Sequence, residues 1–284
     1  MVARSELIFS PESYADLFVE WNRYPEAVPF AGGTDLIRGQ YRQTPELPPV
    51  ILSLDKIDEM QRITRSERYL EIGAMVTLSR IIEMRKFAPA VLVQCLRNIA
   101  GPQLRNMATI GGNVCGHGDS VAALNALDAQ YELKTAQSSR WITASRFSPT
   151  PDAGDGSANS VGPLNSRELV SRIRVPLDNW DYSAYKKFPG QASGDPVCAA
   201  GSVVFLAGVQ KNMLADIRVI CKTAAGIRRD KDGEILLIGK RLPLTRRMAA
   251  AFVARWERGS DGMDGLSRKE LVGFIEKNVG NLVE

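Results

Sequence analysis

Two short segments, "AGGTD" (31–35) and "TIGGN" (109–113), constrain this chain more than any other feature of it. Each sets a pair of glycines beside Thr and either Asp or Asn. The second opens "TIGGNVCGHGD" (109–119), which holds four glycines and the chain's only histidine. Glycine loses more backbone freedom on folding than any other residue, about 0.5–1 kcal/mol relative to alanine inside a helix or strand. Such a concentration therefore needs a reason. Paired glycines let successive backbone N–H groups point one way and admit a ligand close to the main chain, an arrangement that suits a pyrophosphate. Thr34, Thr109 and Asn113 would add hydroxyl and amide donors at the same two mouths. Taken singly, each segment also reads as a simple turn. Neither matches G-x-G-x-x-G, and neither is followed by a P-loop lysine. A ligand held by two separate glycine turns is a different solution from both.

A chain of 284 residues is long enough for two domains with a sizeable core. Its net charge of +4 is spread through segments of alternating sign, and no basic run is interleaved with aromatics. This speaks against a nucleic-acid surface and for a solvated face or a docking patch for an acidic partner. The start, "MVARSELIFSPESY", lacks the apolar core of a signal peptide, and no stretch reaches the length of a bilayer span. The apolar run "VCAAGSVVFLAGV" (197–209) has the size of a buried strand or a core helix. Cysteines 95, 115, 198 and 221 form no C-x-x-C pair, so the common iron–sulfur and zinc signatures are absent from this chain. Reduced thiols in a cytoplasmic protein are the plain expectation.

Periodicity then predicts the elements. Ser10, Pro11 and Glu12 read as cap, first-turn proline and early acid of a helix carrying Tyr14, Leu17, Phe18 and Trp21. "AVPFA" reads as a strand breaking into the first glycine turn, after which Asp35 could cap a helix with Leu36 and Ile37. "PPVILSL" is a strand, and "MQRITRSERYLEIGAMV" two strands around a polar turn. "TLSRIIEMRKFA" is a helix starting near Thr77 or Ser79. "PAVLVQCLRNIA" is another, closed by Gly101-Pro102. "SVAALNALDAQYELKT" runs from helix into strand, and Ser148 to Ser166 is a surface loop. "ELVSRIRVPL" and "YSAYKKF" are strands, "GIRRDKDGE" a charged hairpin turn in which Arg228 and Arg229 could dock a partner. After Leu242 the chain is mainly helical.

"AGGTDLI", "LEIGAMVTLSRI", "IAGPQLRNMATIGGNV" and "ALDAQYEL", in this order and spacing, resemble the FAD-binding medium subunit of the molybdenum hydroxylases, the group of xanthine, carbon monoxide and nicotinate dehydrogenases. The likeness covers roughly residues 5 to 190 well and the rest weakly. It implies an α+β chain. Residues 1–178 would form a two-part FAD-binding body of the vanillyl-alcohol-oxidase (PCMH-type) fold, split near residue 56, with the flavin in the cleft between its parts. Residues 179–284 would form a small C-terminal α+β domain. It also implies a role in electron transfer with no substrate chemistry of the chain's own. Electrons would come from a 2Fe-2S subunit fed by a molybdopterin subunit, in a heterotrimer that can be doubled, and pass to NAD or another acceptor.

Carried over by motif, the resemblance assigns the first loop, Pro29, Phe30, Ala31, Gly32, Gly33, Thr34, Asp35 and Leu36, to the FAD diphosphate. Thr109, Ile110, Gly111, Gly112 and Asn113 match the second loop, closing on the diphosphate and the flavin side. Ile99 falls where the family has a bulky apolar residue beside the cofactor. Val170 matches an apolar contact near the adenine end. Lys186 matches a basic contact, with Lys187 adjacent. The chain departs from the family between Asn113 and Asp119, where the loop is about three residues shorter when "ALDA" is held in register. In that register Asp119 takes the place of a carboxylate that accepts hydrogen bonds from the ribityl hydroxyls. Glycines 116 and 118 suit a tight loop. His117 then stands as a solvent-facing or partner-facing residue, a neighbour of the flavin, or an attachment point, and Cys115 as a small buried residue. No metal ligand and no catalytic acid–base pair is expected. A free-standing flavin oxidoreductase and a scaffold that has lost its cofactor are the competing readings.

Overall fold

The computed structural model describes residues 7–39, 47–147, 164, 167–189, 199–223, 226–260, 263 and 265–283. In chain order the first elements are β1 (Leu7–Phe9), α1 (Tyr14–Arg23), β2 (Val28–Phe30), α2 (Thr34–Gly39) and β3 (Val50–Ser53). The cap of α1 is Ser13, one turn later than expected. Its extended backbone lets Oγ accept the Asp16 N–H at 3.2 Å, and Ser10 and Pro11 stay outside the helix. Leu17, Phe18 and Trp21 form its buried face.

Next come β4 (Ile63–Arg65), β5 (Tyr69–Gly73), α3 (Leu78–Glu83), α4 (Ala90–Arg97), α5 (Pro102–Met107), α6 (Ile110–Cys115), α7 (Ser120–Ala126), β6 (Gln130–Lys134), β7 (Ser139–Thr143) and β8 (Leu169–Pro176). Three of these depart from the expectation. The helix α4 stops at Asn98 rather than at Gly101-Pro102, and Pro102 instead takes the first position of a new helix, α5. A proline there loses nothing, because the first N–H of a helix has no partner within it. The segment "TIGGN" is also not a plain turn. Thr109 caps it, accepting the Gly112 N–H, and the backbone winds on into α6. Strand β7 was not expected at all. The predicted surface loop from Ser148 to Ser166 lies outside the described residues except for Leu164.

The last elements are β9 (Tyr182–Pro189), β10 (Ala199–Gln210), β11 (Met213–Thr223), β12 (Gly226–Arg229), α8 (Lys231–Leu237), α9 (Arg246–Arg258) and α10 (Gly265–Gly280). The apolar run of 197–209 resolves as strand β10, and β11 pairs with it through a turn at Lys211 and Asn212, both at positive φ. Such a turn usually advertises itself as Asn-Gly, so "KN" gives no hairpin signal. "GIRRDKDGE" is likewise not a hairpin turn. It is a strand, then a cap at Asp230 whose carboxylate accepts the Gly233 N–H, then helix α8.

The chain divides into two compact units. The first comprises Met1–Ala88, Ile99–Val121 and Asp128–Leu177. It contains a parallel sheet in the order β1-β3-β2 and an antiparallel sheet in the order β4-β5-β8-β6-β7. On one face of the larger sheet Arg174 lies over the ring of Trp141 at 4.0 Å while pairing with Glu71, and Arg172 joins Glu71 to Glu132. The second unit comprises Pro89–Asn98, Ala122–Leu127 and Asp178–Glu284. Its sheet runs β12-β11-β10-β9, all antiparallel. Phe188, Phe205 and Val219 of that sheet pack against Phe252, Trp256, Leu271 and Ile275 of α9 and α10. Each such fully buried aliphatic or aromatic side chain contributes about 1.5–3 kcal/mol.

Candidate functional site

Both glycine segments belong to the first unit, and they meet there. Strand β2 ends at Phe30, whose carbonyl accepts the Leu54 N–H at 3.0 Å and so anchors the turn that follows. Gly33 sits at φ +66°, a left-handed conformation that side chains resist, directly beside the Phe30 ring. At Gly32 a Cβ would collide with the Met107 carbonyl, two residues ahead of Thr109. A Cβ at Gly116 would lie 2.8 Å from the Asp35 carboxylate. The first loop is therefore packed on the second at two places, and glycine is what permits each approach. At Gly118 a Cβ would strike the Asn113 amide, whose Oδ1 accepts from Ser120 N and Oγ.

The two loops differ in what they can offer a ligand. In the second, every backbone donor from Ile110 to Asn113 is already engaged. Ile110 donates to the Val76 carbonyl and Gly111 to that of Ala74, each at 2.9 Å, Gly112 donates to Thr109 Oγ1 at 3.1 Å, and Asn113 to the Thr109 carbonyl. Gly111 is pressed against Ala74, where a Cβ would come within 2.6 Å of the Ala74 methyl. Gly112 is exposed, and a Cβ there would meet only the Thr109 hydroxyl. In the first loop the N–H groups of Ala31, Gly32, Gly33 and Thr34 find no acceptor among the described residues. Successive unpaired N–H groups at a turn into a helix form a concave donor surface for an anion. The first loop can donate, whereas the second can only let a ligand come close.

A cavity of about 610 Å³ opens where they meet, within the size range of small-molecule sites. Pro29, Ala31, Gly111, Gly112 and Val170 from the expected set line it. Sequence reasoning missed most of the rest of its wall, which includes Trp21, Leu54, Met60, Ala74, Met75 and Leu169, largely apolar, together with Arg167 and Glu168; Cys115, expected as a small buried residue, also lines it. The Ala74 position carried one signal, since a glycine as tightly packed as Gly111 needs a small neighbour. Glu168 is buried and held by a two-pronged pair with Arg140 at 2.7 and 2.8 Å, and Arg167 donates to Asn22 at 2.6 Å. Burial pushes the Cys115 thiol up to about 12, so it is neutral at physiological pH.

The remaining expected residues lie elsewhere in the structure. Phe30 and Leu36 flank the first loop without lining the cavity, and Thr109 and Ile110 are buried beneath it. Ile99 is half-buried, its carbonyl accepting from Arg105 at 2.9 Å. His117 and Asp119 are half-buried in the short loop after α6, His117 at φ +53°. Lys186 belongs to the second unit, on β9, where its ammonium pairs with Glu270. Among the described residues no cluster of His, Cys, Asp or Glu could hold a metal ion, and no helix is long and apolar enough to cross a membrane.

Comparison with known proteins adds three findings. Residues 3–178 match the sequence model of the FAD binding domain in molybdopterin dehydrogenase. The chain is 30% identical over 148 residues to the nicotinate dehydrogenase FAD-subunit of Eubacterium barkeri, a match spanning 49% of each chain and so about half the length of that relative. It is 31% identical over 196 residues to the glyceraldehyde dehydrogenase medium chain of Sulfolobus acidocaldarius, covering 67% of this chain and 66% of that one. Among solved structures, the reconstituted CO dehydrogenase from Oligotropha carboxidovorans superposes with a TM-score of 0.79 at 22% identity, covering 100% of this chain and 99% of the other. Quinoline 2-oxidoreductase from Pseudomonas putida 86 gives 0.77 at 18% identity, with 98% of each chain covered. At these identities the structural likeness speaks for the fold.

Proposed function

The chain belongs to the family of FAD-binding domains of the molybdopterin dehydrogenases, and from that premise we propose that its first unit holds FAD in the cradle of the two glycine loops and that the chain is the electron-transfer subunit of a multi-subunit molybdenum hydroxylase. The observation that carries the reading is the run of N–H groups from Ala31 to Thr34 that find no acceptor among the described residues, a run whose first residue, Ala31, lines a largely apolar cavity while Gly32, Gly33 and Thr34 do not. Four donors in sequence fit a diphosphate, which has acceptor oxygens to match. Gly112 gives the same group room to approach, and Val170, Leu169 and Leu54 supply apolar walls suited to a flat aromatic ring system. The Asp35 carboxylate packs against Gly116, where a Cβ would crowd it.

Bound FAD would supply the ability to take up electrons singly from a one-electron carrier and to pass them on singly or as a pair. The chain's own residues bind, orient and shield it. None is placed as nucleophile or general base, and electron transfer requires neither. The names of the relatives, FAD-subunit and medium chain, support the same division of labour. In that arrangement a 2Fe-2S subunit delivers electrons from a molybdopterin subunit, and an external acceptor removes them. A cytoplasmic heterotrimer, with the metal chemistry in partner chains, is the assembly we propose.

The test is a visible absorption spectrum of the purified chain, repeated on the supernatant after acid precipitation. A flavin spectrum that moves to the supernatant supports a non-covalent FAD subunit. Colour left in the pellet would make His117 or Cys115 the attachment site to map, and of the two Cys115 lines the cavity. An apoprotein that takes up no added FAD would overturn the proposal in favour of a scaffold that has lost its cofactor.

A further inference from the structure

Arg228, Arg229, Asp230, Arg255 and Arg258 line a shallow basin of about 300 Å³ in the second unit, built on the end of β12 and the last turn of α9. Three of the four guanidiniums are fixed by contacts within the protein. Arg255 grips Asp230 with two parallel bonds, Nε to Oδ2 at 2.6 Å and Nη2 to Oδ1 at 2.7 Å. Arg229 donates to Glu234 at 2.8 Å, and Glu234, which is buried, is itself held by the Val219 N–H at 2.9 Å. Arg228 lies 4.4 Å above the Trp256 ring and donates to the carbonyls of Trp256 and Arg255 at the end of α9. It occupies space that any side chain at Gly259 would fill, and a Cβ at Gly233 would press on both Asp230 and Arg255.

The pairing leaves charge over. Arg228 contacts carbonyls and an aromatic face rather than a carboxylate. Arg258 is exposed and has no ion-pair partner among the described residues. Asp232, exposed beside the Asp230 cap, adds its negative charge to that of Asp230 in stabilising the Arg255 cation. The basin thus leaves two guanidiniums without a carboxylate hydrogen bond among the described residues: Arg228, already held in place, and Arg258, exposed at its rim. A planar guanidinium fork matches a carboxylate with two parallel N–H···O bonds, and a preset fork gives up little freedom on forming them. The basin is too shallow to bury most of a small molecule's surface, as a small-ligand site does. Its shape fits side chains projecting from another protein.

We propose that this basin is a docking site for an acidic segment of a partner protein, with Asp or Glu carboxylates of that segment taken by Arg258 and Arg228. The site lies apart from the flavin cradle in sequence and in structural unit, and the proposal does not rest on cofactor binding. Because the contacts are charged and close to solvent, binding weakens as salt shortens the screening length to about 8 Å at physiological ionic strength.

The experiment titrates a fluorescently labelled hexaglutamate peptide into the full chain at low salt and again at about 0.15 M salt, with hexaglutamine as the uncharged control and inorganic phosphate as a competitor. The expected result is salt-sensitive binding of hexaglutamate alone, weakened about tenfold by Arg258→Glu and largely retained by Arg258→Lys. Arg258→Glu should leave the melting temperature and the flavin content unchanged, because the side chain is exposed and lies in the second unit. Hexaglutamate that binds no better than hexaglutamine, or as well to Arg258→Glu as to the parent chain, would overturn the proposal. Phosphate displacing the peptide at equal concentration would overturn it too, by making the basin a small-anion site.

Discussion

Thr109 Oγ1 accepts the backbone N–H of Gly112 at 3.1 Å, and this bond turns the second glycine loop into a helix start with its donors facing inward. The neighbouring glycines 111 and 112 then have opposite reasons to be glycine. Gly111 is pressed against Ala74, whereas Gly112 faces the cavity.

Substitution separates those reasons. Gly111→Ala drives a methyl into Ala74 and is expected to cost about 1–3 kcal/mol of stability, the usual range for overpacking a filled site. For a chain of this size that lowers the melting temperature by roughly 2–4 °C per kcal/mol. Gly112→Val should melt closer to the parent and emerge from purification without flavin. A full complement of flavin in Gly112→Val would show that the loop does not face the cofactor.

Thr109→Ala removes the cap of α6 and leaves the Gly112 N–H without its acceptor. A lost cap costs about 1 kcal/mol, so thermal melting should fall by a few degrees while Thr109→Ser stays near the parent. Equal melting temperatures for the Ala and Ser variants would argue that the hydroxyl contributes nothing.

Cys115 is half-buried in the cavity wall, and desolvation there pushes its thiol up to about 12. The thiolate is the reactive species, so at pH 8 the native chain should resist iodoacetamide at Cys115 and react there only once unfolded. Peptide mass spectrometry after timed alkylation reads this directly. Modification of native Cys115 at the rate of a free thiol would contradict the burial.

Burial alone would raise the Glu132 carboxyl, but hydrogen bonds from Arg172 and Ser171 outweigh it and hold the group below the ordinary glutamate range. A carboxyl with a depressed folded value stabilises fully above its unfolded value of about 4.3, and that stability is lost as the pH falls through the folded value. The melting temperature should therefore drop on acidification below about pH 5. Glu132→Gln should start lower at pH 7 and show a shallower acid decline. Parallel acid profiles for the two chains would place the acid sensitivity elsewhere.

Much of the first unit could be read from local rules. Alternation and caps place β2, β3, β5, α3 and α7, because each segment's own pattern of apolar residues decides which face is buried. The motifs around Gly32 and Gly111 point to the family, because close backbone approach leaves glycine as the one residue that fits. Other elements fail for equally local reasons. "KN" lacks a turn signature, so the β10–β11 hairpin is silent, and the Asp230 cap inside "GIRRDKDGE" looks like any charged turn.

The sequence by itself determined that two glycine segments are needed and which residues stand at their mouths. Only the tertiary structure decided what each can do. Hydrogen bonds from Ile110 and Gly111 to Val76 and Ala74 use up the second loop's donors, while nothing among the described residues takes those of Ala31 to Thr34. The same holds for Lys186, by resemblance a basic contact to the cofactor and in the fold the partner of Glu270. Hydrogen-bond and charge partners lie tens of residues away along the chain, and composition and spacing carry no record of which distant group arrives first.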